Sequence, residues 1–468
     1  MLTRLEVSGF KNLLDFEVEL GPYTCIAGPN GSGKSNVFDA IAFLSLLADA
    51  PLMEAAHGVR TTEGRGGDVR ALFWTDGTNR SDTMRFAAEM IVPPQVTDDF
   101  GREAPTTTTF LRYELELRYE IPSDLASLGR LVLVREELRH IKHGEAASRL
   151  RWPHSKKSFR DHVITGRRSG VAFISTVFDH DVRTIRVHQD GGSRGQPRPS
   201  PAETAPRTII STTATSADPT ILAARREFQS WRTLALEPTA MRSPDPFDAP
   251  GILAADGAHL AAAIYRLGQR AKATGGSSES VFAKLAARAS TLTDVREVRI
   301  DRDDRRELLT LEARLATGGF LPARALSDGT LRFLALCALD IDPDVSGLIC
   351  MEEPENGIHP ARIGAMVQLV RGLAVDPSEP PGTDNPFRQV ITNTHSPGFV
   401  QLQQPQDLLY ATTSTIRTND GQMADTVRLL PMRKTWRAAP DRPAISVADI
   451  VAYLSAQPDA QLSLETSV

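Results

Sequence analysis

The sequence predicts an α/β fold in which a mixed sheet is flanked by helices, together with an antiparallel β lobe and a helical insertion. Three observations carry this prediction. An apolar strand runs through a glycine-rich turn into a helix near the amino end, several alternating runs follow it, and two apolar strands near the carboxyl end finish in polar residues. Strands that alternate with helices are typical of parallel or mixed sheets, whereas closely spaced alternating runs are typical of antiparallel ones.

Composition places the chain among globular proteins. Its 468 residues are 41% hydrophobic and 24% charged, and 53 Lys and Arg against 58 Asp and Glu give a formal net charge of −5. These values exclude a disordered chain, a collagen-like repeat and a coiled-coil rod as descriptions of the whole. No apolar run approaches the roughly 18 residues that cross a bilayer, and no secretory leader is visible. We therefore expect a cytoplasmic protein without a membrane partner, and its three cysteines, Cys25, Cys337 and Cys350, to be reduced and buried.

The amino-terminal elements follow from their periodicity. Residues 2–7 and 15–20 alternate like strands, and Tyr23–Ala27 is a short, continuously apolar strand. Residues 35–48 carry apolar side chains at helical spacing. The segment between this strand and this helix is the position at which glycine-rich loops bind phosphates.

A phosphate-binding loop is predicted there, because residues 28–35 match the pattern G-x-x-x-x-G-K-[ST] without a mismatch. Glycines let successive backbone N–H groups point at phosphates, and the helix N-terminus adds partial positive charge. We expect Lys34 to reach the β- and γ-phosphates of ATP in a catalytic role, and the Ser35 hydroxyl to ligate Mg²⁺. GTP is disfavoured, since no Asn-Lys-x-Asp motif occurs. The residues predicted to line the nucleotide are Gly28, Pro29, Asn30, Gly31, Ser32, Gly33, Lys34, Ser35 and Asn36.

The middle of the chain predicts a β lobe and then a helical insertion. Strand-like runs lie at 84–92, 111–121, 131–141 and 170–178. Residues 190–206 are rich in Gly, Pro and Ser, which predicts a mobile loop, and the runs 223–236 and 258–267 favour helices. The predicted segments are 1–180 with the phosphate loop and β lobe, 181–293 with the flexible loop and helical insertion, and 294–468 with the carboxyl-terminal half of the head.

A basic segment, from Arg149 to Arg168, is a candidate contact for DNA. It holds seven Lys and Arg against one Asp, with Trp152 and Phe159 interleaved. Cations suit phosphates and aromatic rings suit base stacking. The alternative is a solvated connector between elements.

An acidic pair ends an apolar strand near residue 350. Glu352 and Glu353 follow four apolar residues, and Pro354 stops the strand. In a doubly wound sheet, the carboxyl ends of the strands face the ligand. We expect Glu352 to hold Mg²⁺ and Glu353 to act as the general base toward the attacking water. The alternative is a solvated acidic turn.

Two further candidate segments lie beside apolar elements, one at the start of a helix and the other at the end of a strand. Ser327, Asp328 and Gly329 open a helix, where they either cap it or direct its N-terminus at a nucleotide phosphate. His395 follows a strand that ends in Thr-Asn-Thr. It is a candidate catalytic donor to the γ-phosphate, and the alternative is a cap of the next helix.

Taken in order, these segments resemble the ATP-binding heads of SMC/RecF/ABC-type ATPases, most closely the OLD-nuclease-like branch of AAA-family ATPases. The matching segments are Phe10-Lys11-Asn12, the Walker A loop at 28–35, the LSDGT-type signature at 326–330, the Walker B and D-loop run at 351–360 and the switch-histidine loop at 394–397. The resemblance implies a P-loop ABC-type head that binds ATP and Mg²⁺. It also implies a head-to-head homodimer with two ATP molecules sandwiched between subunits, so that Ser327 and Gly329 act in trans.

The sequence departs from that family pattern in four ways. Glu352 stands where most ABC-type strands have Asp, and no glutamine of the Q-loop type can be assigned. No sustained heptads occur between residues 50 and 320, so long coiled-coil arms are not expected. No Asp-x-Asp pair follows His395, so we expect no Toprim nuclease activity in this chain and a separate effector nuclease as a candidate partner.

The leading functional hypothesis is a Mg²⁺-dependent ATPase whose dimerisation is gated by ATP, acting in DNA repair or phage defence. The alternative is a nucleotide-switched scaffold for nucleic acid or an effector, with little turnover. A transporter ATP-binding subunit is disfavoured, because 292 positions separate Ser35 from Ser327, far more than such subunits usually carry.

Overall fold

The structure, a computed structural model, describes residues 1–60, 67–121, 129–166, 168, 170–179, 182–190, 195–417, 423–440 and 442–455. The chain divides into two compact units. Unit 1 comprises Met1–Arg232, Asp376–Pro381 and Gln404–Val468, and unit 2 comprises Thr233–Val375 and Gly382–Gln403. The three segments predicted from sequence have other boundaries, and that division stays a prediction.

The amino-terminal part of unit 1 is mostly β. Its strands are β1 (Leu2–Ser8), β2 (Phe16–Glu19), β3 (Tyr23–Ala27), β4 (Thr83–Ile91), β5 (Gln95–Thr97), β6 (Glu103–Pro105), β7 (Phe110–Glu120), β8 (Arg130–His140), β9 (Ile174–Asp179), β10 (Val182–Val187) and β11 (Arg198–Pro201). Its α-helices are α1 (Lys34–Leu47), α2 (Leu52–Gly58), α3 (Ala146–Arg149), α4 (Asp161–Val163), α5 (Ile209–Thr212) and α6 (Pro219–Gln229).

Unit 2 alternates helices with strands after a short strand, β12 (Arg232–Leu234), at its boundary. Its other strands are β13 (Asp245–Pro246), β14 (Val295–Asp303), β15 (Leu308–Leu315), β16 (Phe320–Pro322), β17 (Gly347–Glu352) and β18 (Arg388–Thr394). Its α-helices are α7 (Pro238–Met241), α8 (Leu260–Ala273), α9 (Ser278–Ser290), α10 (Asp328–Ile341), α11 (Ile363–Gly372) and α12 (Pro397–Gln401). The chain then returns to unit 1 as β19 (Leu408–Arg417), β20 (Met423–Pro431) and α13 (Val447–Ser455).

The described part of unit 1 contains an antiparallel sheet of eight strands in the order β11-β10-β9-β8-β7-β4-β1-β2. The residues of strand β1 alternate between buried and half-buried positions, which is the pattern of a sheet with one face in the core. The rings of Phe10, Phe43 and Phe86 pack together on the inner side, with centroids 5.4–5.8 Å apart. A second group of strands places β3 parallel to β19, and β19 antiparallel to β20. This group carries the phosphate loop.

Unit 2 holds a parallel pair and a small antiparallel sheet. Strands β17 and β18 pair in parallel, with Glu352 opposite Asn393 at their carboxyl ends. Strands β13, β15 and β14 form the antiparallel sheet, and β16 adds to β15. Helix α10 buries Leu331, Phe333 and Leu334 among other apolar residues. The parallel pair therefore delivers both predicted polar strand ends to the same edge.

The predicted α/β class with an antiparallel β lobe is confirmed, with differences in detail. The predicted helix 223–236 begins earlier, at Pro219, and ends at Gln229 before the short strand β12. The predicted mobile loop 190–206 contains a strand, since β11 pairs with β10 and Arg198 forms an ion pair with Asp218. Residues 191–194 of that loop lie outside the described residues. The cysteines are free and buried as predicted, and no described helix has the length and apolarity needed to cross a membrane.

Candidate functional site

The loop between β3 and α1 depends on two glycines with left-handed backbone. Gly31 has φ +83° and Gly33 has φ +84°, a region that residues with a Cβ rarely adopt. Gly28 and Gly33 also allow close approaches. A Cβ on Gly28 would lie 2.9 Å from the Ala411 carbonyl oxygen, and one on Gly33 would lie 2.2 Å from Asn12 Nδ2. The predicted glycine positions are therefore required by the local backbone.

Lys34 and Ser32 place polar groups inside this loop. Lys34 is buried, and its ammonium donates to the carbonyl oxygens of Gly28 at 2.8 Å and Pro29 at 2.6 Å. Ser32 is also buried, and its hydroxyl has no hydrogen-bond partner among the described residues. A buried hydroxyl without a partner costs free energy unless a ligand satisfies it. Together with the glycine turns, this arrangement fits a bound polyphosphate.

The turn at Lys11 and Asn12 supports the first half of helix α1. The Lys11 ammonium lies 2.6 Å from Asp39 Oδ2, and Arg60 Nε lies 2.7 Å from Asp39 Oδ1. The Asn36 amide donates to Asn12 Oδ1 at 2.7 Å. Asp39 is buried, so the two cations compensate a charge that would otherwise be costly. Sequence reasoning missed Asp39 and Arg60, since an acid in mid-helix gives no pattern of its own.

The predicted acids lie at the end of the parallel pair in unit 2. Glu352 is the last residue of β17, and Glu353 follows it with a left-handed φ of +47°. The Glu353 backbone N–H donates to both the carbonyl and the side-chain oxygen of Asn393, each at 3.1 Å. These two bonds hold a conformation that is unfavourable for a residue with a side chain.

Glu353 and His395 form a side-chain pair. His395 Nδ1 lies 2.7 Å from Glu353 Oε1, and the two side chains are 47% and 31% exposed. The helix after His395 is capped by Ser396, whose hydroxyl accepts from the Phe399 N–H at 3.3 Å. The capping alternative for His395 is therefore wrong. The structure instead brings together the predicted base and the predicted switch histidine.

A second, buried acid lies behind this pair. The Thr394 hydroxyl donates to Glu355 Oε1, while Glu355 Oε2 has no hydrogen-bond partner among the described residues. Burial raises the pKa of Glu355 above its usual range. Thr394 Oγ1 also accepts from the Ser396 N–H at 2.9 Å. Glu355 thus fixes the strand end that carries His395, and nothing in the sequence alone distinguished it from an exposed acid.

The signature residues make local contacts at the start of α10. Ser327 is the N-cap, and its hydroxyl accepts from the Thr330 N–H at 3.2 Å. Asp328 forms an ion pair with Arg242. A Cβ on Gly329 would have Ile358 Cδ1 at 3.6 Å, an ordinary contact. The predicted cap is present at Ser327, and a role of Ser327, Asp328 or Gly329 toward nucleotide stays a prediction.

The basic segment is folded differently from the prediction. Trp152 and Phe159 are buried and contact each other edge to face, with centroids 5.5 Å apart, so neither ring is available for base stacking. Arg149 forms an ion pair with the buried Glu89. Lys156 and Lys157 are exposed. The stacking half of the prediction is wrong because both rings fill the core of unit 1.

The predicted residues fall into two groups. All of Gly28–Asn36 lies in unit 1, whereas Ser327, Gly329, Glu352, Glu353 and His395 lie in unit 2. The hydroxyl of Ser35 and the carboxylate of Glu352 are oxygen donors of the kind Mg²⁺ prefers. The first group fits a polyphosphate, and the second fits a metal and a water. That both groups act on one ligand stays a prediction.

Two protein-family models match these two regions separately. One is described as "AAA domain" and matches residues 4–58. The other is described as "AAA domain, putative AbiEii toxin, Type IV TA system" and matches residues 254–401. These matches confirm the predicted resemblance to AAA-type ATPase heads.

A curated relative and several solved structures were also found. An OLD nuclease of Thermus scotoductus is 51% identical over 41 residues, which are 9% of this chain and only 8% of the relative. An SMC head bound to the C-winged helix domain of ScpA has a TM-score of 0.49 at 14% identity, covering 92% of this chain and 99% of that one. The SMC head domain from Thermotoga maritima has a TM-score of 0.36 at 11% identity, covering 92% and 99%.

Proposed function

We propose that this protein is a Mg²⁺-dependent ATPase head whose ATP-bound form dimerises head to head. The observation that carries the proposal is the pair formed by Glu353 and His395 at the end of a parallel strand, in a chain that also carries a complete phosphate loop. The AAA-domain matches support an ATPase family.

The phosphate loop would bind ATP mainly through its backbone. Residues 28–36 would surround the β- and γ-phosphates with N–H groups, and the buried Ser32 hydroxyl would gain the acceptor it lacks among the described residues. Lys34 would exchange two neutral carbonyl acceptors for charged phosphate oxygens, which form stronger hydrogen bonds with an ammonium. The Ser35 hydroxyl would be this loop's ligand to Mg²⁺.

The acidic turn would carry out the hydrolysis step. When bound, Mg²⁺ neutralises charge that develops on the β- and γ-phosphates. Glu352 would hold that ion together with Ser35. Glu353 would orient the attacking water and accept its proton, and His395 would hold the Glu353 carboxylate and then donate to the γ-phosphate. The left-handed backbone of Glu353 is a strained conformation of the kind that clusters at functional sites, which supports this assignment.

The signature helix would act on the ATP of a second copy. Ser327, Asp328 and Gly329 lie at the N-terminus of a helix of 14 residues, which carries partial positive charge. In a twofold dimer each copy would offer this end to its partner, so that two equivalent sites form. ATP would join the two heads, and hydrolysis would release them.

The cellular role follows from resemblance alone. One matched family description names a toxin of a type IV toxin–antitoxin system, and the curated relative is a nuclease. We place the protein in DNA repair or phage defence, in the cytoplasm, acting with a separate effector such as a nuclease. The competing scaffold hypothesis is favoured by one observation, the exposure of Lys156 and Lys157, which leaves two cations available to DNA phosphates.

The test is the mass of the Glu353→Gln protein in solution with ATP and Mg²⁺. Blocking the base without removing its shape should trap the ATP-bound state, and light scattering should give twice the 51.0 kDa of one chain. Gly329→Glu in the same background is the matched variant. It should bind ATP normally but stay a monomer, because the added carboxylate repels phosphate at the signature helix. A Glu353→Gln protein that is saturated with ATP and still monomeric would contradict the proposal.

A further inference from the structure

A pocket of about 470 Å³ lies in unit 1, apart from the phosphate loop. It is formed between strand β2 and the hairpin of β19 and β20. Val18, Leu409 and Leu430 give it apolar walls. Its charged lining comprises four arginines, Arg151, Arg428, Arg437 and Arg442, and three acids, Asp15, Glu17 and Glu19. This size and this mixture of apolar walls with a few charged groups are typical of sites for small molecules.

Arg437 is a buried cation whose hydrogen bonds all go to neutral acceptors. Its side chain is 6% exposed, and its guanidinium donates to the Glu19 carbonyl at 2.9 Å, the Gln406 carbonyl at 2.7 Å and the Thr24 hydroxyl at 2.9 Å. All three acceptors are neutral. Burial lowers the pKa of Arg437 to about 9, even though Asp407 and Glu19 lie near enough to oppose that shift.

Arg428 is a second, half-buried cation of this pocket. Its guanidinium donates to the Asp15 carbonyl, which is also neutral, and burial lowers its pKa as well. No described ion pair joins a carboxylate to Arg428 or Arg437, although Asp15 lines the pocket near Arg428 and Asp407 lies near Arg437. The acids that line the pocket have other partners. Glu19 pairs with Arg151, Glu17 pairs with Arg442, and Asp15 Oδ1 accepts from the Ser8 hydroxyl at 3.0 Å.

Both guanidinium groups have N–H donors beyond those that bond to protein acceptors. A guanidinium has five N–H donors, and Arg437 uses three of them on protein acceptors while Arg428 uses one. Four arginines against three acids leave the lining with an excess of positive charge, which is costly in a partly desolvated pocket unless an anion compensates it. Planar guanidinium groups match carboxylate and phosphate oxygens particularly well.

We propose that this pocket binds a small organic or inorganic anion carrying a phosphate or carboxylate group, with Arg428 and Arg437 as its ligands. The site is independent of the proposed ATPase function. Its two strands also touch the phosphate loop, because Ala411 precedes Thr412 of the pocket and Val427 precedes Arg428. An anion bound here therefore lies one residue away from the contacts of Gly28 and Gly33.

The experiment is a titration of the full chain carrying Lys34→Ala, which removes phosphate binding at the loop. Thermal unfolding is followed against sodium phosphate in one arm and sodium citrate in the other, with chloride keeping the ionic strength constant. We expect a saturable rise in Tm in at least one arm. Phosphate alone would identify a phosphoryl ligand, citrate alone a carboxylate ligand, and both a general oxyanion site.

Arg428→Gln is the informative variant, since Arg428 is partly exposed and makes a single hydrogen bond. It should weaken the apparent affinity at least tenfold. Lys142→Gln is the matched control, because it removes one exposed positive charge of the same unit outside the pocket, and it should change the affinity less than twofold. Salts that are excluded from protein surfaces raise Tm without saturation. A rise that is absent, unsaturable or unchanged by Arg428→Gln would overturn the proposal.

Discussion

The phosphate loop of unit 1 and the acidic turn of unit 2 solve the same conformational problem differently. Both need a left-handed backbone, but the loop uses Gly31 and Gly33, whereas the turn uses Glu353. The cation of the loop, Lys34, is buried, whereas the carboxylate of Glu353 is partly exposed and paired with His395. The loop is thus a site built by backbone, and the turn is a site built by side chains.

This difference separates the expected effects of mutations. Changes in the loop should act on ligand affinity and on stability, because they alter backbone conformation and packing. Changes in the turn should act on turnover, because they remove groups that hold or move a proton. A loop mutation that changed only turnover, or a turn mutation that changed only ATP affinity, would contradict this distinction.

The largest effect is expected for Glu353→Gln. Loss of a general base lowers turnover by about 100- to 10,000-fold, and ATP affinity should change less than threefold, since the phosphate contacts lie elsewhere. Steady-state ATPase assays and fluorescent-nucleotide binding measure the two quantities. Glu279→Gln, at an exposed position of α9, is the matched control and should leave both unchanged. Turnover at the wild-type rate would remove Glu353 from the mechanism.

Lys34→Ala should weaken ATP binding by about 100-fold, because charged hydrogen bonds to phosphate contribute roughly 1.5–3 kcal/mol each. Calorimetric titration measures the affinity. The fold should survive, since Lys34 bonds the carbonyl oxygens of Gly28 and Pro29 in its own loop. Unchanged ATP affinity would mean that the loop is only a glycine-rich turn.

His395→Ala should lower turnover by about tenfold, less than the change at Glu353, because the histidine acts partly through that carboxylate. The variant that combines His395→Ala with Glu353→Gln tests whether the two residues act together. If they act as a unit, its turnover should be no slower than that of Glu353→Gln alone. Fully multiplicative losses in turnover would show two independent roles.

The smallest effects concern stability and come from two glycines in the same loop. Gly31→Ala and Gly33→Ala both force a Cβ into left-handed backbone, at a cost of about 1 kcal/mol. Only Gly33→Ala also drives that Cβ against Asn12 and Val427, which adds about 1–3 kcal/mol. Denaturant unfolding should therefore rank Gly33→Ala as clearly less stable. Equal losses would mean that the turn at Asn12 moves aside.

The phosphate loop was predictable because its information is local. A strand, a glycine pattern and a helix follow one another, and the structure contains each at the predicted place. The same holds for the acidic strand, whose apolar run and terminal acids occur within six residues. Local patterns, however, do not reveal which side chains meet across elements.

What sequence reasoning missed are contacts between residues that lie far apart in the chain. Glu355 and Thr394 are 39 positions apart, and Lys11 and Asp39 are 28 apart. Trp152 and Phe159 occur among cations, so composition favours a surface, yet both rings are in the core. Helix α9 escaped prediction since only Ser278, Leu285, Ala286 and Ala289 are buried, which leaves a weak apolar stripe.

The central claim is that the two regions act on one metal-bound nucleotide. The most direct test is a double-mutant cycle on the affinity of the Mn²⁺–ATP complex, measured by electron paramagnetic resonance in the wild type, Ser35→Ala, Glu352→Gln and the double variant. Two ligands of one ion should be coupled by about 1 kcal/mol or more. Losses that add within about 0.5 kcal/mol would mean that Ser35 and Glu352 do not share a metal, and would contradict the claim.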